Sequence, residues 1–196
     1  MKCKISVCLT VYGISPFLEE QFKSILNQSY DDFEIIVFED KHPSESAEEL
    51  IKSMIDDCDK HDLNFTYVSS DFNVGPAVGF SRAIEKSSGD LLVFSDHDDI
   101  WNENKLSVLA CKFHGDVKAI YHNGIVFGSD NEFKDNNVLY SEQKKLSLIN
   151  VFLSNFIIGA SFAVDGKLAR EYVRKYSFKP MHDWVLVFYL FCIIKK

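Results

Sequence analysis

No two cysteines in this chain are spaced Cys-x-x-Cys, and the five present are odd in number, scattered and mostly set inside apolar runs. That pattern excludes a zinc ribbon or a disulfide framework and points to buried thiols in a reducing compartment. An excess of positive charge is lacking as well. Lys and Arg number 21 against 29 Asp and Glu, for a net charge of −8, and so acidic a chain is a poor partner for nucleic acid. No signal peptide is recognisable, because the first apolar run, Ile5 to Tyr12, is too short for one and reads as a strand. Internal repeats and low-complexity segments are absent. The apolar run from Trp184 to Ile194 is eleven residues, about 16 Å as a helix, which is well short of a bilayer. It reads as a buried helix. Being apolar on every side, it needs cover on every side, from another chain, from a membrane surface or from protein beyond Lys196.

What is present is material for a core. The chain has 196 residues, 46% hydrophobic and 26% charged, with 17 Phe and 8 Tyr. That fits one globular domain. Ile5 to Tyr12 is a first buried strand, broken by Gly13. Ser15-Pro16 then opens a helix with Ser as cap, and Phe17, Leu18, Phe22, Ile25 and Leu26 recur at helical spacing. Phe33 to Phe38 is a second strand ending in Glu39-Asp40. Glu45 to Lys60 is a helix, and Phe65 to Val68 a short strand. The loop Asn73-Val74-Gly75-Pro76 feeds a helix from Ala77 to Lys86, and Leu91 to Phe94 is a fourth strand. Trp101 to Phe113 reads as helix, Lys118 to Phe127 as strand, Gly128 to Asn137 as polar loop and Leu146 to Leu153 as helix. Phe156 to Val164 is a strand interrupted at Gly159-Ala160, and Lys167 to Tyr176 a helix. The alternation of strand and helix in the first half predicts an α/β fold with a mostly parallel sheet and helices on both faces.

The fourth strand ends abruptly in Asp96-His97-Asp98-Asp99. In an open α/β sheet, ligands bind beyond the carboxyl ends of the strands. Carboxylates this dense repel one another unless a cation lies between them, and oxygen donors suit a hard divalent ion that keeps positions open for substrate phosphates. A solvated acidic turn that caps the following helix is the plainer alternative. Thr10 and Tyr12, and then Glu39 and Asp40, end two other strands on the same expected edge. A Tyr face can stack on a base, and a carboxylate can accept from a ring N–H or a ribose hydroxyl. Arg82 can reach a diphosphate or stand as a solvated helix residue. In Met181-His182-Asp183-Trp184 the aspartate is either a helix cap or a desolvated base.

Taken together these segments resemble glycosyltransferase family two, inverting enzymes of the GT-A fold. The resemblance is carried by Ser6 to Tyr12, by Ser24-Ile25-Leu26-Asn27-Gln28-Ser29-Tyr30 with Phe33 to Val37, and by Asn73-Val74-Gly75-Pro76. It continues through Ser88-Gly89-Asp90, Ser95 to Trp101 and His182-Asp183-Trp184. The Asp-x-Asp-Asp-Ile-Trp and His-Asp-Trp forms look most like the bacterial rhamnosyltransferase-like branch, which decorates surface polysaccharides. The resemblance implies one GT-A domain over 1–196. Residues 1–101 form its nucleotide-binding half and 102–196 its acceptor side. It implies a nucleotide-diphosphate sugar donor and a glycan or lipid-linked acceptor. By the same resemblance Thr10, Tyr12 and Glu39 hold the base, Asp96 contacts the nucleoside, and Arg82 is the nearest candidate for a basic residue on the donor. Asp98 binds Mn²⁺ or Mg²⁺, and Asp183 is the catalytic base. Asp99, Trp101, His182 and Trp184 border the site or support its acceptor side. The implied location is cytoplasmic, with the last helix a candidate for peripheral contact at the inner face of the membrane or with a second copy.

This chain departs from the family's pattern in four places, one of them the basic residue expected a little after the Asn-Val-Gly loop, for which Arg82 is the nearest candidate. Gly13 stands where the family has Asn, and Glu39-Asp40-Lys41-His42 stands where it has Asp-Asp-Gly-Ser. The family also continues well beyond the His-Asp-Trp helix, whereas this chain ends about a dozen residues after it, as a short form, a fragment or a trimmed piece would. The altered loop and the abrupt end motivate an alternative, a degenerate domain that binds a nucleotide or a partner without catalysis. A nucleotidyltransferase is a further alternative, weakened by the lack of a Gly-rich basic loop after the first strand.

Overall fold

The computed structural model describes residues 2–125, 159–176, 185–187 and 189–190. Strands β1 (Ile5–Tyr12), β2 (Phe33–Asp40), β3 (Asn64–Ser69), β4 (Leu91–Ser95), β5 (Ala119–Tyr121) and β6 (Phe162–Asp165) form one six-stranded sheet in the order β3-β2-β1-β4-β6-β5. Helices α1 (Leu18–Leu26), α2 (Glu48–Lys60), α3 (Pro76–Lys86), α4 (Lys105–Lys112) and α5 (Gly166–Lys175) flank it. The first four strands run parallel, as strands joined by helical crossovers must, and β6 runs antiparallel to both β4 and β5. The mostly parallel sheet expected from the alternation is therefore present.

Strand β1 and its neighbours are buried on both faces, which is why they read as continuous apolar runs. Ile5, Val7, Leu9 and Val11 pack with Ile35, Val37, Leu91 and Val93 under α1, α2 and α4, through Leu18, Phe22, Ile51, Met54 and Leu106. The intervening residues Cys8, Ile36, Phe38, Leu92 and Phe94 face the other way. They pack under α3 and α5, through Phe80, Ile84, Ala169 and Val173. The period of two along each strand sorts the side chains into these two cores.

Several boundaries differ from the sequence expectation. Helix α1 begins at Leu18, and Ser15 does not cap it. Instead the Ser15 hydroxyl accepts from Phe17 N at 3.3 Å and its carbonyl from Leu18 N at 3.3 Å, closing a turn around Pro16. Helix α2 begins at Glu48. Helix α4 begins at Lys105 instead of Trp101, because the segment before it is tied down. Trp101 N donates to the Ser24 hydroxyl at 2.9 Å, Gln28 Nε2 to Asn102 O at 2.8 Å and Ser29 N to Glu103 O at 2.9 Å. Strand β5 is only three residues long, and β6 follows a 3₁₀ turn at Gly159–Ser161 instead of spanning it. Asp165 caps α5, accepting from Leu168 N at 3.1 Å. The expected loop at 128–137 and helix at 146–153 lie outside the described residues.

The cysteine expectation holds for Cys8 and Cys58, which are buried free thiols pushed up by burial, Cys58 to about 12. Cys111 is exposed. Near the C-terminus, residues 185–187 and 189–190 are helical. Leu186, Val187 and Leu190 are buried with Phe162 and Val173, and the Tyr189 ring lies 4.9 Å from that of Tyr172. This part of the apolar run is covered by the chain itself, so the cover expected from a membrane or a second copy is not needed there. Among the described residues no helix is long and apolar enough to cross a membrane.

The Ser88-Gly89-Asp90 segment lies at the amino-terminal ends of the parallel strands, away from the carboxyl edge. A Cβ on Gly166 would lie 2.2 Å from Gly89 O, so glycine lets two backbones touch there. Gly166 N donates to Asp90 O at 2.7 Å across that contact. The segment is structural. With β2 on one side of β1 and β4 on the other, the strand order reverses at β1. The crevice beyond the carboxyl ends of β1 and β4 is where an α/β sheet holds ligands.

Candidate functional site

Register places the expected residues on one edge. Tyr12 is level with Asp40, Val11 with Glu39 and Leu9 with Ser95, so the ends of β1, β2 and β4 finish side by side. Gly79 brings α3 close to this edge, since a Cβ there would lie 2.9 Å from Phe38 and 3.2 Å from Thr10 Cγ2. Tyr12 is 43% exposed and meets His42 edge-on, the rings 4.8 Å apart at 63°. That contact orients an aromatic ring that still has face to offer.

Glu39 and Asp40 are held differently. One Glu39 oxygen accepts from Ala47 N at 3.0 Å, at the start of α2, and the other from the Tyr67 hydroxyl. The longer side chain at this position thus reaches a helix end. Each of its oxygens keeps a lone pair, because a carboxylate has about four acceptor sites. Tyr67 is pushed up to about 12 by burial and by this bond. Asp40 is buried and accepts from Val74 N and Gly75 N, both at 2.8 Å, and from the Ser70 hydroxyl at 3.1 Å. It anchors the Asn73-Val74-Gly75-Pro76 loop. Asp40→Ala leaves these donors without their acceptor, and we expect a loss of about 2–4 kcal/mol in a denaturant titration, with Asp40→Asn less damaging.

The acidic turn is built on buried supports. Gln21, fully buried in α1, donates to the Ser95 hydroxyl. Asp96, His97 and Asp99 are half-buried and Asp98 is exposed. Asp99 is pushed up by burial, with the Asp98 charge adding to the rise and Lys105 and His97 opposing it. Trp101 is buried, and Gln28 Oε1 accepts from Leu106 N at 2.9 Å. The segment Ser24 to Tyr30 therefore acts as the clamp on the chain that leaves the acidic turn.

Behind the turn lies a group that sequence reasoning missed. Lys105 Nζ sits 3.7 Å from the centre of the Trp101 ring and donates to Ala160 O at 3.1 Å. Burial lowers this lysine to about 7, against the pull of Asp99 and Asp96. His122, just past β5, donates its backbone N–H to Ser161 O at 2.9 Å. Its ring is lowered to about 4 by burial and then by Lys105, so it is neutral at physiological pH. No signal in the chain marked Lys105, because the helix whose first turn holds it reads from the sequence as starting at Trp101.

Arg82 pairs with Glu85 at 3.4 Å and lines a cavity of about 400 Å³ with Phe38, Ser70 and Val74, beside the carboxyl ends of β2 and β3. His182, Asp183 and Trp184 lie outside the described residues. Among the described residues no group of three His, Cys, Asp or Glu side chains is set to enclose a metal. A magnesium-type ion does not need one, because one or two carboxylates and substrate phosphates complete its shell. The exposed Asp98 carboxylate, flanked by Asp96 and Asp99, fits that kind of site.

Comparison with known proteins bears on the same residues. An uncharacterised glycosyltransferase of Rickettsia bellii is 36% identical over 118 residues, 60% of this chain and 16% of that protein. A GalNAc(5)-diNAcBac-PP-undecaprenol beta-1,3-glucosyltransferase of Campylobacter jejuni is 27% identical over 133 residues, 67% of this chain and 41% of that protein. The chain thus spans well under two thirds of the length of these relatives. Among solved structures, S. aureus TarS in complex with UDP superposes with a TM-score of 0.69 at 17% identity, covering 94% of this chain and 54% of that one. A mannosyltransferase of Pyrobaculum calidifontis in complex with GDP-Man and Mn²⁺ gives 0.63 at 17% identity, covering 87% and 47%. The shared fold is the GT-A fold. The model of glycosyl transferase family 2 matches residues 6–171, which carries the likeness through the strands and past the acidic turn, and the chain belongs to that family.

Proposed function

We propose that this chain is the donor-binding and catalytic domain of a metal-dependent, inverting glycosyltransferase that moves a sugar from a nucleotide donor to a glycan or lipid-linked acceptor. The observation that carries the reading is the convergence of Thr10, Tyr12, Glu39 and the Asp96–Asp99 turn on one sheet edge, at the point where the strand order reverses. The names of relatives and structural neighbours support the substrate classes: an undecaprenol-linked acceptor for one, and UDP and GDP-Man as bound donors or products for others.

In this reading Tyr12 stacks on the base, and Thr10 and Glu39 hold its ring edge. Asp96 accepts from a ribose hydroxyl. Asp98, exposed at the crest of the turn, holds Mn²⁺ or Mg²⁺, whose charge when bound offsets that growing on the departing diphosphate. Asp183 takes the proton of the acceptor hydroxyl as that oxygen attacks the anomeric carbon from the face opposite the diphosphate. One displacement inverts the centre. The domain works in the cytoplasm, at the inner face of the membrane where its acceptor is lipid-linked.

A non-catalytic nucleotide-binding domain is the second reading, favoured by Glu39, whose two oxygens are already engaged by Ala47 N and Tyr67. Nucleotide release from UDP-, GDP- and dTDP-sugars with Mn²⁺ separates the two. Release above the uncatalysed rate with one donor is the expected result. No release with any donor, from protein that still binds a nucleotide, would favour the second reading.

A further inference from the structure

The cavity that Arg82 lines lies between α3, the end of the edge strand β3 and the loop that joins them. At about 400 Å³ it falls in the range of about 300–1,000 Å³ that holds small ligands. Its floor is apolar: Phe38 is buried, and Val68, Val74 and Val78 are half-buried. Its rim is open, since Asp71, Phe72, Arg82, Glu85 and Lys86 are all exposed, so the described part of the chain leaves the mouth free to solvent. One wall is set before any ligand arrives. Val74 N and the Ser70 hydroxyl donate to the buried Asp40 carboxylate at 2.8 Å and 3.1 Å.

Two features of the rim bear on what fits. Phe72 is 69% exposed, more than any other large hydrophobic side chain among the described residues, so a phenyl ring stands beside the cavity with a face to offer. The rim's charges cancel. Arg82 and Lys86 supply two positive charges, Asp71 and Glu85 two negative ones, and Arg82 pairs with Glu85 at 3.4 Å. Neither a phosphate nor a cation is drawn in by a net field. A purely apolar ligand would take water from charged groups and return no hydrogen bond. The complement is a neutral ligand with one apolar face and an edge of groups that both donate and accept. A pyranose has that form. Its C–H face packs on an aromatic ring, whose face is negative, and its hydroxyls donate to carboxylates and accept from a guanidinium or an ammonium.

We propose that this cavity is a carbohydrate site, which holds one neutral pyranose unit of a glycan against Phe72. The site goes beyond the donor-site reading and does not depend on it. Phe38, at the floor, is level with Thr10 across β1 and β2, so the cavity adjoins the donor edge on its β3 side. A sugar held there is bound and not transferred, and a glycan anchored by it stays beside that edge.

The test is saturation-transfer NMR with the methyl glycosides of glucose, galactose, mannose, N-acetylglucosamine and rhamnose, on wild type, Phe72→Ala and Arg82→Ala. At least one glycoside should receive signal from wild type, and each variant should bind it roughly fivefold to tenfold more weakly. Both replacements are of exposed side chains, so each variant should melt within about 2 °C of wild type. The signal should persist when UDP, GDP or dTDP is added with Mn²⁺. No signal with any of the five glycosides, or a signal that either variant leaves unchanged, would overturn the site. A signal that a nucleotide displaces would overturn it too, by placing the sugar in the donor crevice. Failure of every nucleotide to bind would bear on the donor-site reading alone.

Discussion

Asp183→Asn is expected to lower turnover by about 10²- to 10⁴-fold while leaving nucleotide affinity within about twofold. The amide keeps the size and a carbonyl acceptor but cannot take a proton. An acceptor hydroxyl is a poor nucleophile until its proton has somewhere to go, so the loss falls on kcat. His182 and Trp184 flank this residue in sequence, and Leu186, Val187 and Leu190, which follow it, are buried in the core shared with Phe94 and Phe162. The chain after the aspartate is thus anchored to the same body that carries the acidic turn. Steady-state transfer, with nucleotide binding measured separately, checks both halves. A variant that lost binding and turnover together would show that Asp183 serves the fold or the donor site instead.

Phe94→Ala is expected to cost about 3–5 kcal/mol, the range for emptying a fully buried aromatic site. Phe94 is 0% exposed, meets Phe80 edge-on at 5.4 Å and stacks on Phe162 at 6.1 Å and 9°. It joins β4 to α3 on one side and to β6 on the other. A domain of this kind has about 5–15 kcal/mol in all, so the loss is a large share. Only Ser95 separates it from Asp96, and a cavity here loosens the strand that presents the acidic turn. A denaturant titration should show a lower midpoint with an unchanged slope. A loss under about 1 kcal/mol would mean that the neighbours collapse into the space.

The sheet was legible because its signal is written in long apolar runs. Ile5 to Tyr12, Phe33 to Phe38 and Leu91 to Phe94 admit little but buried strands, and their polar ends mark the ligand edge. Boundaries were less legible where one segment borrows hydrogen bonds from another. Nothing local at Trp101 says that Ser24, Gln28 and Ser29 will take up the backbone groups a helix would use there. Ser24 to Tyr30 was visible as a motif, but its use as a clamp appears only when α1 lies beside the acidic turn. Asp40 was legible as a strand-end carboxylate, not as the anchor of a loop more than thirty residues away. Arg82 was reached by nearness in sequence, and the cavity it lines includes Ser70 and Val74, two partners of Asp40. Lys105 and His122 meet only through the turn before β6, so no spacing in the chain announces them.

The central claim is a metal-dependent nucleotide site on the sheet edge that ends in Asp96 to Asp99. It is tested most directly by calorimetric titration of UDP, GDP and dTDP, each with and without Mn²⁺, into wild type and Asp98→Ala. The account predicts that one nucleotide binds wild type, that binding needs the metal, and that Asp98→Ala abolishes it while melting as wild type does. Binding that is indifferent to both metal and Asp98, or no binding of any nucleotide by folded protein, would contradict it.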